Sequence, residues 1–398
     1  MAKVLRLVLA SAIGVVALIA AVRLVAPAET PSSVRRQMAY LRSELESGAA
    51  EQAQRDFPEG YFFLYALYGL TAVDLGRNSD ARWALSHLES DAGRKPFDAG
   101  LTPAYGVFYR GWLNWLRGGL LARQPGDPGL AAAVDRDSAE LAAAFDASPT
   151  PFLAAYPGQA WPVDSTVAIA SLRLHDKLRP PRYAATVARW LSGVRVNLDP
   201  ATGLIPHTAD VDTGLPTSGP RGTSQSMILR FLGEIDPEFA RAQYLKFREL
   251  FRVAPLGLGP AVREYPAGTD GPADADSGPL PLGISLSATV VTIGAARVQG
   301  DDALATGLAQ YGELAGLPFD TWHTRRYAFG LMPIGDAFLA WSKTARPWVS
   351  PAPAAPERGL SRWWRLPLLT VFLLAAAAPW LLRSAVRRRR RTATAGAA

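Results

Sequence analysis

"IDPEFARAQYLKFRELF", residues 235–251, decides the fold class, because it has the features of one complete amphipathic helix. Asp236 is a residue type that caps helix N-termini, and Pro237 suits the first helical position. Phe247 and Phe251 are four residues apart and fall on one helical face. The same helical periodicity of apolar residues recurs through most of the chain, so the sequence predicts an all-α protein.

Working outward from this helix, the periodicity predicts twelve helices, whereas alternating β-branched runs bounded by turns are scarce. Twelve helices in sequential pairs fit an α/α toroid of six hairpins, with an inner and an outer ring, over residues 35–345. A 34-residue repeat is not evident, which disfavours a tetratricopeptide solenoid. The predicted helices cover roughly 35–56, 61–75, 79–89, 104–123, 129–145, 165–178, 183–194, 221–232, 237–253, 284–298, 301–315 and 328–343.

Three long loops, 146–163, 197–220 and 254–283, are rich in glycine, proline and polar residues. Long loops without secondary structure of their own are commonly functional, so we expect them to build a rim at one end of the toroid. The chain contains no cysteine, which excludes disulfides, thiolate nucleophiles and cysteine-ligated zinc. Its four histidines are scattered singly, so we expect neither a metal site nor a cofactor.

Both ends of the chain have the composition of membrane segments. Residues 1–27 hold a basic start and the apolar run Leu7–Val22, which predicts a signal anchor. Residues 363–383 form a second apolar segment, and a Pro/Ala-rich linker at 346–362 joins it to the main domain. The basic tail 384–398 suits the cytoplasmic side, which predicts a main domain outside the cell membrane.

The formal net charge of +7 comes from residues 1–27 and 383–398, which together carry nine basic residues and no acidic ones. The remainder of the chain therefore has a net charge of −2. It shows no basic stripe interleaved with aromatic residues, so nucleic-acid binding is not expected.

Several landmarks resemble the linalool dehydratase/isomerase family when they are taken in order. They are Gly111-Trp112-Leu113-Asn114, Pro162-Val163-Asp164-Ser165, Asp199-Pro200 with Gly203, Asp236-Pro237 with Phe239, and Arg263-Glu264 with Gly268-Thr269-Asp270. A looser match lies at 61–75. The resemblance implies an α/α-barrel fold and a pocket among inner helix ends and long loops. It also implies lyase or isomerase chemistry on a small, largely apolar alcohol.

The sequence departs from the family at the catalytic positions. The family's activity is attributed to a pair of cysteines and a histidine, and the matching positions here hold Trp161, Ala170 and Trp112. None of these side chains can serve as a nucleophile, acid or base. Any acid–base chemistry must therefore fall to carboxylates.

Four carboxylates are the candidate catalytic groups: Glu264, Asp164, Asp274 and Asp276. Glu264 either acts as a general acid or pairs with an arginine to fix its loop. Asp164 precedes a predicted inner helix, where it either caps the helix or lies at the barrel mouth. Asp274 and Asp276 alternate, which puts them about 6–7 Å apart on one side of an extended segment. Three roles remain open for these two residues: catalytic carboxylates, members of a solvated turn, or ligands of a cation.

The candidate substrate-binding residues are Trp161, Arg221, Gln225, Tyr265 and Trp112. Arg221 and Gln225 open a predicted inner helix, where they contact a substrate or simply cap the helix. Most aromatic side chains are expected to pack as core. His207 is expected at the surface.

Three functions remain open from the sequence. The first is a membrane-anchored lyase or isomerase that uses carboxylates on a hydroxylated, mainly apolar, terpenoid or lipid-like substrate. The second is a glycan-active enzyme with paired carboxyls, which glycoside hydrolysis requires. The third is a non-catalytic binding protein, because the family's catalytic residues are replaced.

Overall fold

The computed structural model describes residues 2–28 and 30–395, so residues 396–398 of the predicted basic tail lie outside it. It is 63% helix and 5% strand, which confirms the all-α class. The helices are α1 (Ala2–Val25), α2 (Pro31–Glu46), α3 (Ala49–Asp56), α4 (Gly60–Asp74), α5 (Asn78–Leu88), α6 (Asp91–Arg94), α7 (Gly106–Arg123), α8 (Pro128–Ala147), α9 (Pro162–Leu178), α10 (Ala184–Val196), α11 (Gly222–Ile235), α12 (Pro237–Phe251), α13 (Leu286–Val298), α14 (Asp302–Ala315), α15 (Pro333–Lys343) and α16 (Leu366–Ala395).

The strands form three short antiparallel pairs in the loops between helices, so they add little to the core. The pairs are β1 (Thr208–Ala209) with β2 (Pro216–Ser218), β3 (Arg252–Val253) with β4 (Ala261–Val262), and β5 (Phe319–Asp320) with β6 (Arg325–Arg326).

Six helices contact one another in sequence. Helix α4 packs against α7, α7 against α9, α9 against α11, α11 against α13, α13 against α15, and α15 against α4. Five of the six, α4, α7, α9, α11 and α13, also pack against the helix that follows along this part of the chain: α5, α8, α10, α12 and α14 respectively. The sixth, α15, packs against α2 from the other end of the domain. The helices are therefore arranged as five sequential hairpins and one pair that joins the two ends of the domain, and the first members of these pairs contact each other.

The first members of these hairpins begin at one end of the molecule. Val107, at the start of α7, donates a backbone hydrogen bond of 3.1 Å to Ala154 in the loop before α9. Gly222, at the start of α11, donates a 2.7 Å hydrogen bond to the Glu264 carbonyl, and the Glu264 amide donates one of 3.1 Å to Gly283 before α13. Loops 146–163, 197–220 and 254–283 thus meet here, and we call this the loop end.

The core is aromatic where the contacting helices meet. The Trp112 ring lies 5.3 Å from Phe231 and 5.8 Å from Trp341, in edge-on or tilted geometries that favour aromatic pairs. Helices α7 and α9 approach so closely that a Cβ added to Gly111 would lie 2.9 Å from that of Ala168. Small residues at this crossing therefore allow the close contact of the two helices.

Two predicted helices differ from the structure, and local backbone preferences explain both differences. The predicted helix 35–56 is divided into α2 and α3 by Gly48, whose φ of +91° favours glycine. The predicted helix 328–343 begins only at Pro333, because Phe329 has a φ of +58° and proline disfavours helical geometry in the residue before it.

Two helices are long and apolar enough to cross a membrane, through the windows Val8–Val25 and Trp363–Trp380. Only 17% and 6% of these windows is buried, so they are not core helices. Helices α1 and α16 pack side by side, and a Cβ on Gly14 would lie 3.4 Å from the Ala376 carbonyl oxygen.

The Pro/Ala-rich segment 346–362 is extended but lies against the helical domain. The Trp348 ring stacks on Trp115 with centroids 4.7 Å apart and planes 6° from parallel. The buried Glu234 carboxylate accepts hydrogen bonds of 2.7–3.0 Å from the backbone amides of residues 348–350. Arg248 donates to the carbonyl of Arg358 at 2.5 Å. This segment is therefore held by specific contacts along much of its length.

Candidate functional site

Asp164 lies in the first turn of α9 at the loop end, where it is 4% exposed. The helix is capped at Trp161 without a side-chain cap, so Asp164 does not serve as the N-cap. Within the described residues, no donor forms a hydrogen bond with its carboxyl group. Burial raises the pKa of Asp164 well above its ordinary value, and the charges of Glu59 and Asp276 raise it further. This environment therefore favours the neutral, protonated form of Asp164.

Glu59 and Tyr156 lie near Asp164, and no pattern in the sequence indicates that either residue belongs to this site. Glu59 is the residue before α4, and its carboxylate accepts a hydrogen bond from the Tyr156 hydroxyl. Burial is the main cause that raises the pKa of Tyr156, and the negative charge of Glu59 and its hydrogen bond with Tyr156 raise the pKa further. The aromatic ring of Trp161 packs edge-on against Tyr156 at 5.8 Å. Glu59 and Tyr156 lie in loops that are far apart in the sequence, so no local sequence pattern indicates that they form a pair.

Asp276 reaches this group from loop 254–283. Its side chain is exposed, yet burial by surrounding protein is the main cause that raises its pKa. The charges of Asp274 and Glu59 raise the pKa further, and Arg221 opposes them. A side chain that is exposed but surrounded by protein lies in a concave surface. Asp276 and Asp164, two of the sequence-predicted carboxylates, are thus brought together with Glu59.

Glu264 has a different environment from Asp164, because its carboxylate is completely buried and fully paired. One oxygen accepts hydrogen bonds of 2.7 Å from both the Arg221 guanidinium and the Thr223 hydroxyl. The other accepts from the Thr223 backbone amide at 3.3 Å. Burial raises the pKa of Glu264 even though Thr223 and Arg221 stabilise the charge. This geometry matches the arginine-paired alternative, in which Glu264 fixes its loop onto α11.

Arg221 links Glu264 to Asp274, with which it also forms an ion pair. Burial alone would raise the pKa of Asp274, but Arg221 and the Ser277 amide outweigh burial and lower it. The Ser277 amide donates to Asp274 at 2.9 Å. The lowered pKa favours the ionised form of Asp274, and the hydrogen bond from Ser277 holds Asp274 in its turn.

His207 lies at the same end, half-buried, rather than at the free surface that its sequence suggested. Its Nδ1 atom is hydrogen-bonded to the Ser224 hydroxyl. Burial and the Arg221 charge lower the pKa of His207 to about 4, so the ring is neutral at neutral pH.

The remaining predicted binding residues mainly contact other groups of the protein. Trp112 is 2% exposed within the aromatic core, and Gln225 is fully buried, donating to the Ile205 carbonyl at 2.6 Å. Tyr265 packs beneath the Arg221 guanidinium at 5.3 Å and donates to the Pro272 carbonyl at 2.8 Å. These positions were selected from the resemblance and from loop placement, which do not indicate where a side chain points.

Across the described residues, no group of three or more histidine, aspartate or glutamate side chains is arranged to hold a metal ion. The loop end brings together a buried carboxyl group whose pKa is raised, two further carboxyl groups and a tyrosine. A neutral acid beside carboxylates of different pKa can give up a proton to one atom of a bound molecule while a neighbour accepts a proton from another.

No protein-family model matches the chain, and no curated protein is significantly similar to it. The resemblance to the linalool dehydratase/isomerase family therefore stays a prediction from the sequence.

Proposed function

We propose that the protein is a membrane-anchored acid–base lyase or isomerase whose site lies at the loop end of a six-hairpin α/α toroid. The order of contacts from α4 through α15 and back to α4 supports an inner ring of six helices. The partner of each inner helix would then belong to the outer ring. In this arrangement the loop end is the mouth of the ring.

The observation that carries the proposal is the environment of Asp164. It is buried, receives no side-chain hydrogen bond from the described residues, and has a raised pKa beside Asp276 and Glu59. A buried acid without a structural partner is costly to maintain, and such groups concentrate at functional sites. Glu264, which is fully paired, lacks this property and instead positions Arg221.

The proposed chemistry needs only these side chains. Neutral Asp164 donates its proton to the hydroxyl oxygen of an alcohol, the C–O bond breaks, and water leaves. Asp276, whose raised pKa makes it a better base, takes a proton from the adjacent carbon, and that electron pair forms the double bond. Glu59, hydrogen-bonded to Tyr156, acts through its negative charge, which raises the pKa of both Asp164 and Asp276. The reverse sequence adds water to an alkene.

The substrate class follows from the two apolar helices and from the resemblance to a family that acts on a small, largely apolar alcohol. Both favour a hydroxylated, mainly apolar molecule of terpenoid or lipid-like type. The basic residues at both ends of the chain favour a main domain on the extracytoplasmic side.

Deuterium incorporation tests the proposal. The full chain in lipid nanodiscs is incubated in D2O with a panel of allylic terpenoid alcohols, and deuterium on carbon is measured by mass spectrometry. Asp164→Asn should reduce incorporation about 100-fold or more, because general acid catalysis contributes that much. Asp146→Asn is the matched control, since Asp146 is an exposed residue of α8 whose partners, Arg189 and Thr186, belong to α10 and not to the candidate site.

A parallel panel of glycans addresses the alternative of a glycan-active enzyme. Cleavage of a glycan that depends on Asp164 and Asp276 would replace the lyase assignment. Turnover of neither panel by the unmodified chain would favour a non-catalytic binding protein.

A further inference from the structure

The segment between α14 and α15 has an unusually apolar surface. We call residues 317–332, which include β5 and β6, the apolar hairpin. Trp322 is 95% exposed and Leu331 is 80% exposed. Its large exposed side chains are Leu317, Phe319, Trp322, Phe329, Leu331 and Met332. A contiguous apolar surface of this kind marks a contact with another molecule or with a membrane.

Two side chains of the apolar hairpin, Arg325 and Tyr327, point toward the domain. Arg325 is largely buried and forms an ion pair with Glu313 of α14, and the Tyr327 hydroxyl donates to Glu313 at 2.5 Å. The Tyr40 hydroxyl donates to the Gly330 carbonyl at 3.0 Å. These contacts fix the hairpin to the domain, whereas its large exposed apolar side chains face outward among the exposed Asp320, Thr321 and His323. So many exposed large apolar side chains in one loop are unusual for a surface in water.

The apolar hairpin lies beside the two helices that are long and apolar enough to cross a membrane. The Arg23 guanidinium, near the end of α1, donates to the Pro318 carbonyl at 2.8 Å. Gln310 of α14 donates to the Ala26 carbonyl at 3.3 Å and accepts from Arg365, just before α16, at 2.9 Å. Both helices therefore join the domain at α14, and the apolar part of α1 runs on past the hairpin.

The same geometry relates the apolar hairpin to the candidate site. Helix α14 follows α13 after a short turn and packs against it, so its C-terminal end lies beside the start of α13. The start of α13 belongs to the loop end, through the contact of Gly283 with Glu264. The hairpin, which follows α14, is consequently at the loop end too.

We infer that the apolar hairpin inserts into the lipid interface of the membrane that α1 and α16 cross, so that the loop end faces the bilayer. Aromatic side chains, tryptophan above all, favour this interfacial position. Continuity with the apolar helices favours lipid over a second copy of the chain as the occupant. If the loop end faces the bilayer, a substrate dissolved in the lipid can reach Asp164. That consequence rests on the proposed function, whereas the membrane contact itself does not rest on it.

Site-specific fluorescence tests the inference, and the absence of cysteine makes single-cysteine variants straightforward. Trp322→Cys and Leu331→Cys are labelled with an environment-sensitive fluorophore in the full chain. Gly126→Cys is the control, because it is exposed beyond the C-terminus of α7, an 18-residue helix about 27 Å long that starts at the loop end. Ile13→Cys, exposed on α1, reports insertion of that helix.

The labelled proteins are placed in nanodiscs of phosphatidylcholine and phosphatidylglycerol, with and without lipids that carry a nitroxide near the headgroup. The labels at 322 and 331 should shift to the blue and lose most of their fluorescence to the nitroxide, while the label at 126 should not. If the labels at 322 and 331 behave like the label at 126 while the label at 13 reports burial in lipid, the inference is overturned. Efficient disulfide crosslinking of Trp322→Cys between copies, without quenching, would also overturn it in favour of a protein contact.

The same measurement separates this inference from the proposed chemistry. Asp164→Asn in the labelled background should leave the quenching at 322 and 331 unchanged, whatever its effect on turnover.

Discussion

At the residue scale, two carboxylates that look alike in the sequence have opposite surroundings. Glu264 is buried with a complete set of donors, whereas Asp164 is buried without a side-chain hydrogen bond from the described residues. The sequence predicted that both are near the mouth of the ring. It could not predict which is paired, because Arg221 lies 43 positions from Glu264 and is brought to it only by folding.

Glu264→Gln should therefore lower stability. The neutral amide cannot replace the charge that pairs with Arg221, and we expect a loss of about 2–4 kcal/mol in the free energy of unfolding. Urea denaturation in mild detergent measures this, with Glu46→Gln as the control at an exposed i,i+4 pair. If Glu264→Gln is as stable as the control, Glu264 does not fix its loop onto α11.

Asp336 gives a prediction for pH dependence. Burial raises its pKa to about 7, against the lowering effects of the Tyr327 amide and the Gln37 side chain. The folded state thus keeps a proton that the unfolded state loses near pH 4, so stability falls as pH rises from about 4 to 7. The slope from this group approaches about 1.4 kcal/mol per pH unit.

Asp336→Asn should remove that part of the slope, since asparagine does not titrate. Urea unfolding midpoints measured at intervals across this pH window test it. A slope that is identical in the variant would show that Asp336 is ionised throughout.

At the element scale, the sequence predicted most helices from apolar periodicity and caps, and Asp236 with Pro237 marks the start of α12 as expected. The differences fall where a single residue overrides periodicity, as Gly48 does between α2 and α3. The segment 346–362 was expected to be a tether because its composition suits an extended chain. Composition does not reveal that Trp348 stacks on Trp115, since that contact joins distant parts of the sequence.

Trp348→Ala should free this segment. Loss of the stacked ring removes about 1–1.5 kcal/mol of specific aromatic interaction, so the amides of residues 348–350 should exchange with solvent about tenfold faster. Hydrogen exchange with mass spectrometry measures the rate. Trp322→Ala is the matched control, because that indole is 95% exposed and far from the segment in sequence. Equal exchange in the two variants would mean that the stacking contact does not hold the segment.

At the scale of the whole molecule, the positions of the basic residues and of the two long apolar helices predict the membrane topology. A phosphatase fusion at residue 350 should be active and a fusion at the C-terminus inactive, because the nine basic residues of the two ends favour the cytoplasm. A cytoplasmic reporter at the same positions should give the reciprocal pattern. An inactive phosphatase at residue 350 would contradict the two-anchor arrangement.

The proposed chemistry depends on the protonation state of Asp164. Infrared difference spectroscopy compares the full chain with Asp164→Asn at neutral pH, in H2O and in D2O. We predict a carbonyl stretch of a protonated carboxylic acid that shifts in D2O and is absent from the variant, because burial, Glu59 and Asp276 keep Asp164 neutral. A variant that instead loses only carboxylate bands would show that Asp164 is ionised at neutral pH, and an ionised Asp164 cannot be the general acid.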